Sequence, residues 1–254
     1  MADGLLKLQG IEKRFGPVDV LRGVDLEIAP AEAVGLIGDN GAGKSTLVKI
    51  LAGVYAPSGG TIAFEGSQVR FGSPLDARAA GIEVIYQDLA LCEDLDVTAN
   101  VFLGREPRKR FGPFLWLDRR AMRAEAGRVL ERLGIELSPA RMAGELSGGQ
   151  RQLVAVARAL EFSPRLLLMD EPTAALSNEK IHHLLNLVAT LKERGVAVLL
   201  ISHRFTDIIE LCDRVIAMRD GKISAEIRPQ SHRSTPEMMA EMQAALSGEL
   251  PGAS

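Results

Sequence analysis

Nine consecutive residues, Gly38-Asp39-Asn40-Gly41-Ala42-Gly43-Lys44-Ser45-Thr46, have the types and spacing to hold a row of phosphates. They fit G-x-x-x-x-G-K-[ST] and follow the apolar run Ala33-Val34-Gly35-Leu36-Ile37, the strand-then-loop-then-helix order in which that pattern forms a phosphate-binding loop. Gly38, Gly41 and Gly43 are expected to curl the backbone with positive φ, so that successive N–H groups make a nest for a β-phosphate backed by a helix dipole. Lys44 adds a compact positive charge for the β- and γ-phosphates, and Ser45 a hydroxyl for Mg²⁺. A polyphosphate nucleotide is the implied ligand.

A second set of groups follows later. Leu166-Leu167-Leu168-Met169 reads as a fully buried strand with Asp170-Glu171 at its carboxyl end. Asp170 is placed to hold Mg²⁺ through water, completing the shell that Ser45 begins, and Glu171 to polarise an attacking water. Leu146-Ser147-Gly148-Gly149-Gln150 opens a helix with bare amides and a hydroxyl, a second anion site or else ordinary linker chemistry. Gln87 and His203 each stand just past an apolar strand, where a parallel sheet places ligand-binding groups and where a polar residue also simply opens a loop. Phe15 sits before a Gly-Pro turn, either to stack on a nucleobase or to plug a strand end.

These groups need a sheet to hold them, and the periodicities supply one. Leu5 to Phe15 and Val24 to Ile28 alternate as antiparallel strands. Strands are expected at 61–64, 82–86, 166–169 and 197–201, with a hairpin of 214–219 and 222–227 around Asp220-Gly221. Ser73 and Pro74 start a helix to Ala80. From Leu89 to about Glu161 the pattern is helical with no convincing strand: helices at 97–103, from Asp118 to Gly134, and at 151–160. Between them the loop from Gly104 to Pro113 holds Arg105, Arg108, Lys109 and Arg110; with Glu106 and two prolines among them, these read as a solvated loop. Glu179 to Arg194 is an amphipathic helix with His182 and His183 off its apolar face. Residues 230–235 read as linker, 236–246 as a short helix, and the last residues as a frayed end.

The 254 residues, 46% hydrophobic and 25% charged, are ordinary for a folded core of one nucleotide-binding domain. A net charge of -3 gives no electrostatic reason for nucleic acid or an anionic membrane as the main ligand, though local basic patches are compatible with it. Cys92 and Cys212 stand far apart, suggesting neither zinc nor a disulfide, and fit a reducing compartment. Met1-Ala2-Asp3-Gly4 lacks a signal-peptide pattern, and the longest aliphatic run, Val196 to Ile201, is far too short to span a bilayer.

Taken in order, the phosphate loop, Gln87, Leu146 to Gln150, Leu168 to Glu171 and His203 resemble the ATP-binding subunits of ABC transporters. Phe102-Leu103-Gly104-Arg105-Glu106-Pro107, Asp170-Glu171-Pro172-Thr173-Ala174-Ala175-Leu176-Ser177 and Ile201-Ser202-His203-Arg204 are similar to the ribose and fructose type of sugar importer. The resemblance implies an α/β P-loop ABC ATPase core (1–88 and 162–229) with an N-terminal antiparallel β subdomain. It also implies an inserted α-helical subdomain (89–161) and a short C-terminal linker and helix (230–254).

The resemblance further implies ATP hydrolysis in a head-to-tail homodimer, with ATP held by Gly38 to Thr46 and, in trans, by Ser147, Gly148, Gly149 and Gln150. In it Phe15 stacks on adenine, Glu171 is the catalytic base, His203 holds the γ-phosphate, Ser45 and Asp170 hold Mg²⁺, and Gln87 contacts Mg²⁺ or water. Its other implications are integral-membrane permease subunits, docked in a groove lined from about Gln87 to Phe102, and beyond them an extracytoplasmic sugar-binding protein. The protein would sit peripherally on the cytoplasmic face of the plasma membrane, with no nucleic-acid partner. An exporter subunit and a soluble ABC-type ATPase acting on nucleic acid or ribosomes are the alternatives. Many importer subunits fuse two ATP-binding halves; one half here implies dimerisation. Ser177 departs from the aspartate usual in the loop after the catalytic glutamate and cannot supply its charge.

Overall fold

The computed structural model describes residues 4–111, 114–173, 176–228 and 234–248. The expected linker at 230–233, the frayed end and Ala174-Ala175 lie outside the described residues. The elements begin with β1 (Leu6–Phe15), β2 (Val18–Ile28), β3 (Ala33–Gly38), α1 (Lys44–Leu51), β4 (Gly59–Phe64), β5 (Ser67–Val69), α2 (Pro74–Ala79) and β6 (Ile82–Ile85). Next come α3 (Val97–Val101), β7 (Arg108–Phe111), β8 (Phe114–Leu117), α4 (Arg119–Arg132) and α5 (Gly148–Leu160). The chain then forms β9 (Leu166–Asp170), α6 (Asn178–Glu193), β10 (Ala197–Ile201), α7 (Phe205–Leu211), β11 (Arg214–Arg219), β12 (Lys222–Ile227) and α8 (Thr235–Ser247). They fall into two compact units, the first from Met1–Val84, Pro164–Glu171 and Val188–Ser254, the second from Ile85–Ser163 and Pro172–Leu187.

In the first unit an antiparallel sheet runs β2-β1-β4-β5. Its inward positions in β1 are Leu6, Leu8 and Ile11, so the simple alternation breaks once. Gly10, with φ 59°, is the extra residue of a bulge there, and its N–H is taken by Asp25 Oδ1 at 2.7 Å. The second sheet has the order β12-β11-β3-β10-β9-β6. Its central strands are apolar along their whole length because both faces are covered; β10 is buried at all five positions. Leu6, Leu8 and Ile11 from one sheet, Leu47, Ile50 and Leu51 from α1, and Leu168 and Leu199 from the other form one core.

The parallel pairings decide where the polar groups emerge. Ile201 of β10 lies beside both Asp170 of β9 and Leu36 of β3, and Gly38 lies beside Met218 of β11. The carboxyl ends of β3, β9 and β10 therefore share one edge. Ser73 caps α2 through Asp76 N as its sequence predicts.

The second unit packs α3, α4 and α5 around Val97, Val101, Phe102, Met122, Ala126, Leu130 and Val154. Asn100 is fully buried, and its amide joins the loop before α3 to the helix: it accepts from Cys92 N at 2.8 Å and donates to the carbonyls of Cys92, Leu95 and Asp96. A hydrogen-bonded amide here fixes the entry to α3.

Several elements differ from the sequence reading, among them the short β5. Arg108–Phe111 and Phe114–Leu117 are not loop but an antiparallel pair, β7 with β8. All four side chains of β8 are exposed, so no buried face imposes the period-two pattern by which strands are recognised. The short α7 is likewise absent from the sequence reading; it buries Ile208 and Leu211 in only seven residues.

Candidate functional site

The phosphate loop leaves β3 and enters α1 through glycines of two kinds. Gly41 and Gly43 have φ of 88° and 102°, the left-handed region in which glycine carries no penalty. Gly38 does not belong with them. Its φ is not positive; a side chain there would place Cβ 2.5 Å from the carbonyl oxygen of Met218 on the neighbouring strand. Glycine is required at that position by close approach, which corrects the expectation of a third positive φ. Asp39, Asn40 and Gly41 are exposed, Ala42 and Gly43 buried, and Thr46 half-buried in the first turn of α1. Gly43 caps α1 without a side-chain bond, leaving the first-turn amides to a ligand.

Lys44 folds over this loop, its Nζ donating to the carbonyls of Gly38 at 2.6 Å and Asp39 at 3.0 Å. Burial pushes its ammonium below the usual lysine range, against the opposing pull of Glu171, Asp170 and Asp39. Asp170, the last residue of β9, has the Ser45 hydroxyl beside it. Burial raises the Asp170 carboxyl above the usual aspartate range; the Ser45 hydroxyl opposes the rise, Glu171 adds to it, and Lys44 and Lys49 oppose it. Ser45 and Asp170 are hard oxygen donors placed together beside a phosphate loop, a set that fits Mg²⁺ held jointly with phosphate and water. Among the described residues no cluster of three or more His, Cys, Asp or Glu could hold a metal by itself.

Glu171 turns out of the strand with φ 53°, a left-handed conformation that costs a non-glycine residue about 1 kcal/mol or more. Its N–H still reaches Ile201 O at 3.0 Å, and its Oε2 lies 2.5 Å from Nδ1 of His203. The carboxylate is mostly covered, at 17% exposure, while the imidazole is 68% exposed.

Phe15 stands 40% exposed at the end of β1. Tyr55 meets it edge-on, with centroids 5.2 Å apart, and Lys13 Nζ lies 4.9 Å from the Phe15 centroid and 5.5 Å from that of Tyr55. Lys49 approaches Tyr55 at 5.8 Å. The sequence reading found Phe15 but missed Tyr55, Lys13 and Lys49. An aromatic just past α1 was the available signal.

The structure thus gathers Lys44, Ser45, Asp170, Glu171 and His203 at one sheet edge, all in the first unit. Gln87, exposed two residues beyond β6, and Ser147 to Gln150 belong to the second. There Ser147 Oγ accepts from Gln150 N at 3.3 Å, while Gln150 Oε1 accepts from Ser147 N at 3.0 Å, a reciprocal capping box at the start of α5. Gly148 is open to solvent; Gly149 lies under the Lys180 side chain, whose Cδ a Cβ would meet at 2.6 Å. Ser177 is exposed and its carbonyl accepts from Ile181 N at 2.9 Å, starting α6.

Residues 21–174 match the ABC transporter family model. The chain belongs to that family. Among its relatives is a ribose import ATP-binding protein of Streptomyces avermitilis, 48% identical over 86% of this chain and 43% of that protein. A xylose/arabinose import ATP-binding protein of Sulfolobus acidocaldarius is 47% identical over 86% of each chain. The cassette therefore spans less than half the length of the ribose import relative and most of the xylose/arabinose one. A solved nucleotide-free ATP-binding cassette from an ABC transporter superposes with TM-score 0.82 and 28% identity over 95% of both chains. A dimeric post-hydrolysis cassette bound to ADP and phosphate gives TM-score 0.76 and 26% identity, over 89% of this chain and 99% of that one. The fold is that of an ABC cassette, with the mixed α/β core and antiparallel sheet expected of it.

Proposed function

We propose that this ABC cassette binds and hydrolyses ATP to power a sugar importer, through ATP-driven head-to-tail dimerisation of two copies. The observation that carries the reading is the meeting of Glu171 with His203 on the sheet edge that also holds Lys44, Ser45 and Asp170. Lys44 and the loop amides from Gly38 to Thr46 bind the β- and γ-phosphates. Ser45 and Asp170 would hold Mg²⁺, which when bound would neutralise developing charge on the phosphate oxygens, and Gln87 keeps the contact to Mg²⁺ or water that the resemblance implies. Glu171 takes a proton as the water oxygen bonds to the γ-phosphorus and the bond to the β-phosphate oxygen breaks. His203 orients that carboxylate and donates toward the γ-phosphate. Ser147, Gly148, Gly149 and Gln150 complete the partner copy's site, and Phe15 stacks on adenine.

The names of the relatives support sugar import over export and over a soluble machine on nucleic acid. Integral-membrane permease subunits and, through them, an extracytoplasmic sugar-binding protein are the partners of this reading, with the cassette peripheral on the cytoplasmic face of the plasma membrane. Among the described residues no helix is long and apolar enough to cross a membrane. A permease segment would dock along the stretch from about Gln87 to Phe102. The domain organisation (1–88, 89–161, 162–229 and 230–254) remains part of this proposal. The test is light scattering of purified Glu171→Gln protein with and without MgATP, paired with phosphate release. An ATP-dependent dimer without turnover is expected; steady hydrolysis by that variant would overturn the assignment.

A further inference from the structure

The hairpin of β7 and β8 leaves four consecutive large apolar side chains in solvent: Phe114, Leu115, Trp116 and Leu117 are 64%, 66%, 61% and 45% exposed. Such a run goes beyond the scattered apolar residues of an ordinary surface and marks an interaction site. Pairing sets Leu117 opposite Arg108, Trp116 opposite Lys109 and Leu115 opposite Arg110. Because successive residues of a strand point to opposite sides, Leu115 and Leu117 share a face with Arg110 and Arg108, and Phe114 and Trp116 share the other with Lys109. Both faces of the ribbon are therefore apolar along one strand and cationic along the other.

The surroundings reinforce the positive charge. Arg119 and Arg120 follow in the exposed first turn of α4. Two described acids offset part of that charge: Glu106, which accepts from Gly104 N at 3.0 Å, interacts with Arg108, and Asp118, which caps α4 through Ala121 N at 3.1 Å, lies 3.7 Å from Lys109, so five described basic residues (Arg108, Lys109, Arg110, Arg119, Arg120) still outweigh two acids. Backbone hydrogen bonding at Glu106 and from Gly104 holds the Glu106 carboxyl below its usual range.

We infer that this hairpin is a membrane-surface contact, its apolar strand lying in the interfacial layer of a bilayer rich in anionic lipid and Arg108, Lys109 and Arg110 meeting headgroup phosphates. Apolar and basic side chains mixed on both faces are the chemistry of a segment lying in an anionic lipid interface. Tryptophan favours that interfacial layer, and basic residues beside it gain from anionic headgroups. Four residues of strand reach about 13 Å, enough to enter the boundary between headgroups and acyl chains and far short of spanning the bilayer. The inference requires no nucleotide and goes beyond the proposed ATPase reading, so either can fail without the other.

Trp116 is the only tryptophan of the chain, so its fluorescence reports on the hairpin alone. The full chain is mixed at low salt with vesicles of phosphatidylglycerol and phosphatidylethanolamine, and in parallel with phosphatidylcholine vesicles. With the anionic vesicles, the Trp116 emission is expected to shift to the blue, to be quenched by brominated acyl chains, and to accompany co-sedimentation. Binding to phosphatidylcholine should be weaker by about tenfold or more, and about 0.5 M salt should reverse most of the anionic binding. Lys109→Glu and, separately, Phe114→Ser with Leu115→Ser should each weaken partitioning on the order of tenfold with unchanged melting, since all three residues are exposed. Unchanged emission with anionic vesicles, or co-sedimentation indifferent to both variants, overturns the inference. So does an emission shift that grows with protein concentration in the absence of vesicles, which makes a second copy the occupant. Blue emission before any vesicle is added, from a protein that co-purifies, overturns it as well.

Discussion

His203 Nδ1 and Glu171 Oε2 lie 2.5 Å apart, joining the residue that follows β9 to the second residue past β10. The same two segments are joined a second time through the main chain, Glu171 N to Ile201 O. Glu171 is thus aimed by β10 although it follows β9 in the chain, and its left-handed φ is the local strain by which this is achieved. Removing the base while keeping its shape, as Glu171→Gln, should lower phosphate release by about 10²- to 10⁴-fold and accumulate the MgATP dimer. His203→Ala should lower kcat more than it raises KM for ATP, because it frees the carboxylate without touching the loop that binds phosphate. Steady-state kinetics on the two variants separates these effects.

Asp170 provides a pH-dependent stability test. Its folded pKa is raised, chiefly by burial, so the protonated form is favoured by folding. The sign follows from linkage: below the unfolded pKa of aspartate both states are protonated and no cost is felt. As pH rises through the folded pKa, ionisation destabilises the ligand-free fold. Asp170→Asn should therefore melt higher than the parent at pH 8, with the advantage vanishing toward pH 4, each kcal/mol amounting to about 2–4 °C for a chain of this size. The same variant should lose MgATP turnover. Thermal melts across pH, alongside phosphate release, check both halves.

Phe15, with Tyr55 edge-on and Lys13 beside both rings, presents an exposed aromatic face. Stacking on a base is worth about 1–3 kcal/mol, so Phe15→Ala should weaken ATP binding roughly tenfold or more. Inorganic tripolyphosphate, which has no base, should bind both proteins equally. Calorimetric titration with the two ligands makes the comparison.

The two kinds of glycine in the phosphate loop should fail in different ways. Gly38→Ala forces Cβ against Met218 O and should destabilise the fold by about 1–3 kcal/mol. Gly41→Ala meets nothing within 4 Å but must hold φ near 88°, costing about 1 kcal/mol and distorting the loop. Melting should therefore fall more at Gly38, and nucleotide affinity, measured per folded molecule, more at Gly41.

Where short-range chemistry suffices, the residues alone were enough. The phosphate loop is legible because its glycines, lysine and hydroxyl act within nine residues. Asp220-Gly221, with φ of 49° and 78°, makes its hairpin between Arg214–Arg219 and Lys222–Ile227 where the turn pair predicts. β10 is legible for a related reason: burial on both faces leaves an unbroken apolar run at Ala197–Ile201. The β7–β8 hairpin escapes notice because alternation is imprinted by a core, and these strands pack on none. The reason for Gly38 lies 180 residues away, in the carbonyl of Met218. Glu171 and His203 could each be singled out as a strand-end residue, but their contact was not readable. It depends on the parallel register that sets Ile201 beside Asp170, and on a left-handed turn at Glu171 that no residue type announces. Local spacing fixes which groups can do chemistry; long-range pairing of the sheet fixes which of them touch, because register is set by burial of the whole strand and not by its last residue.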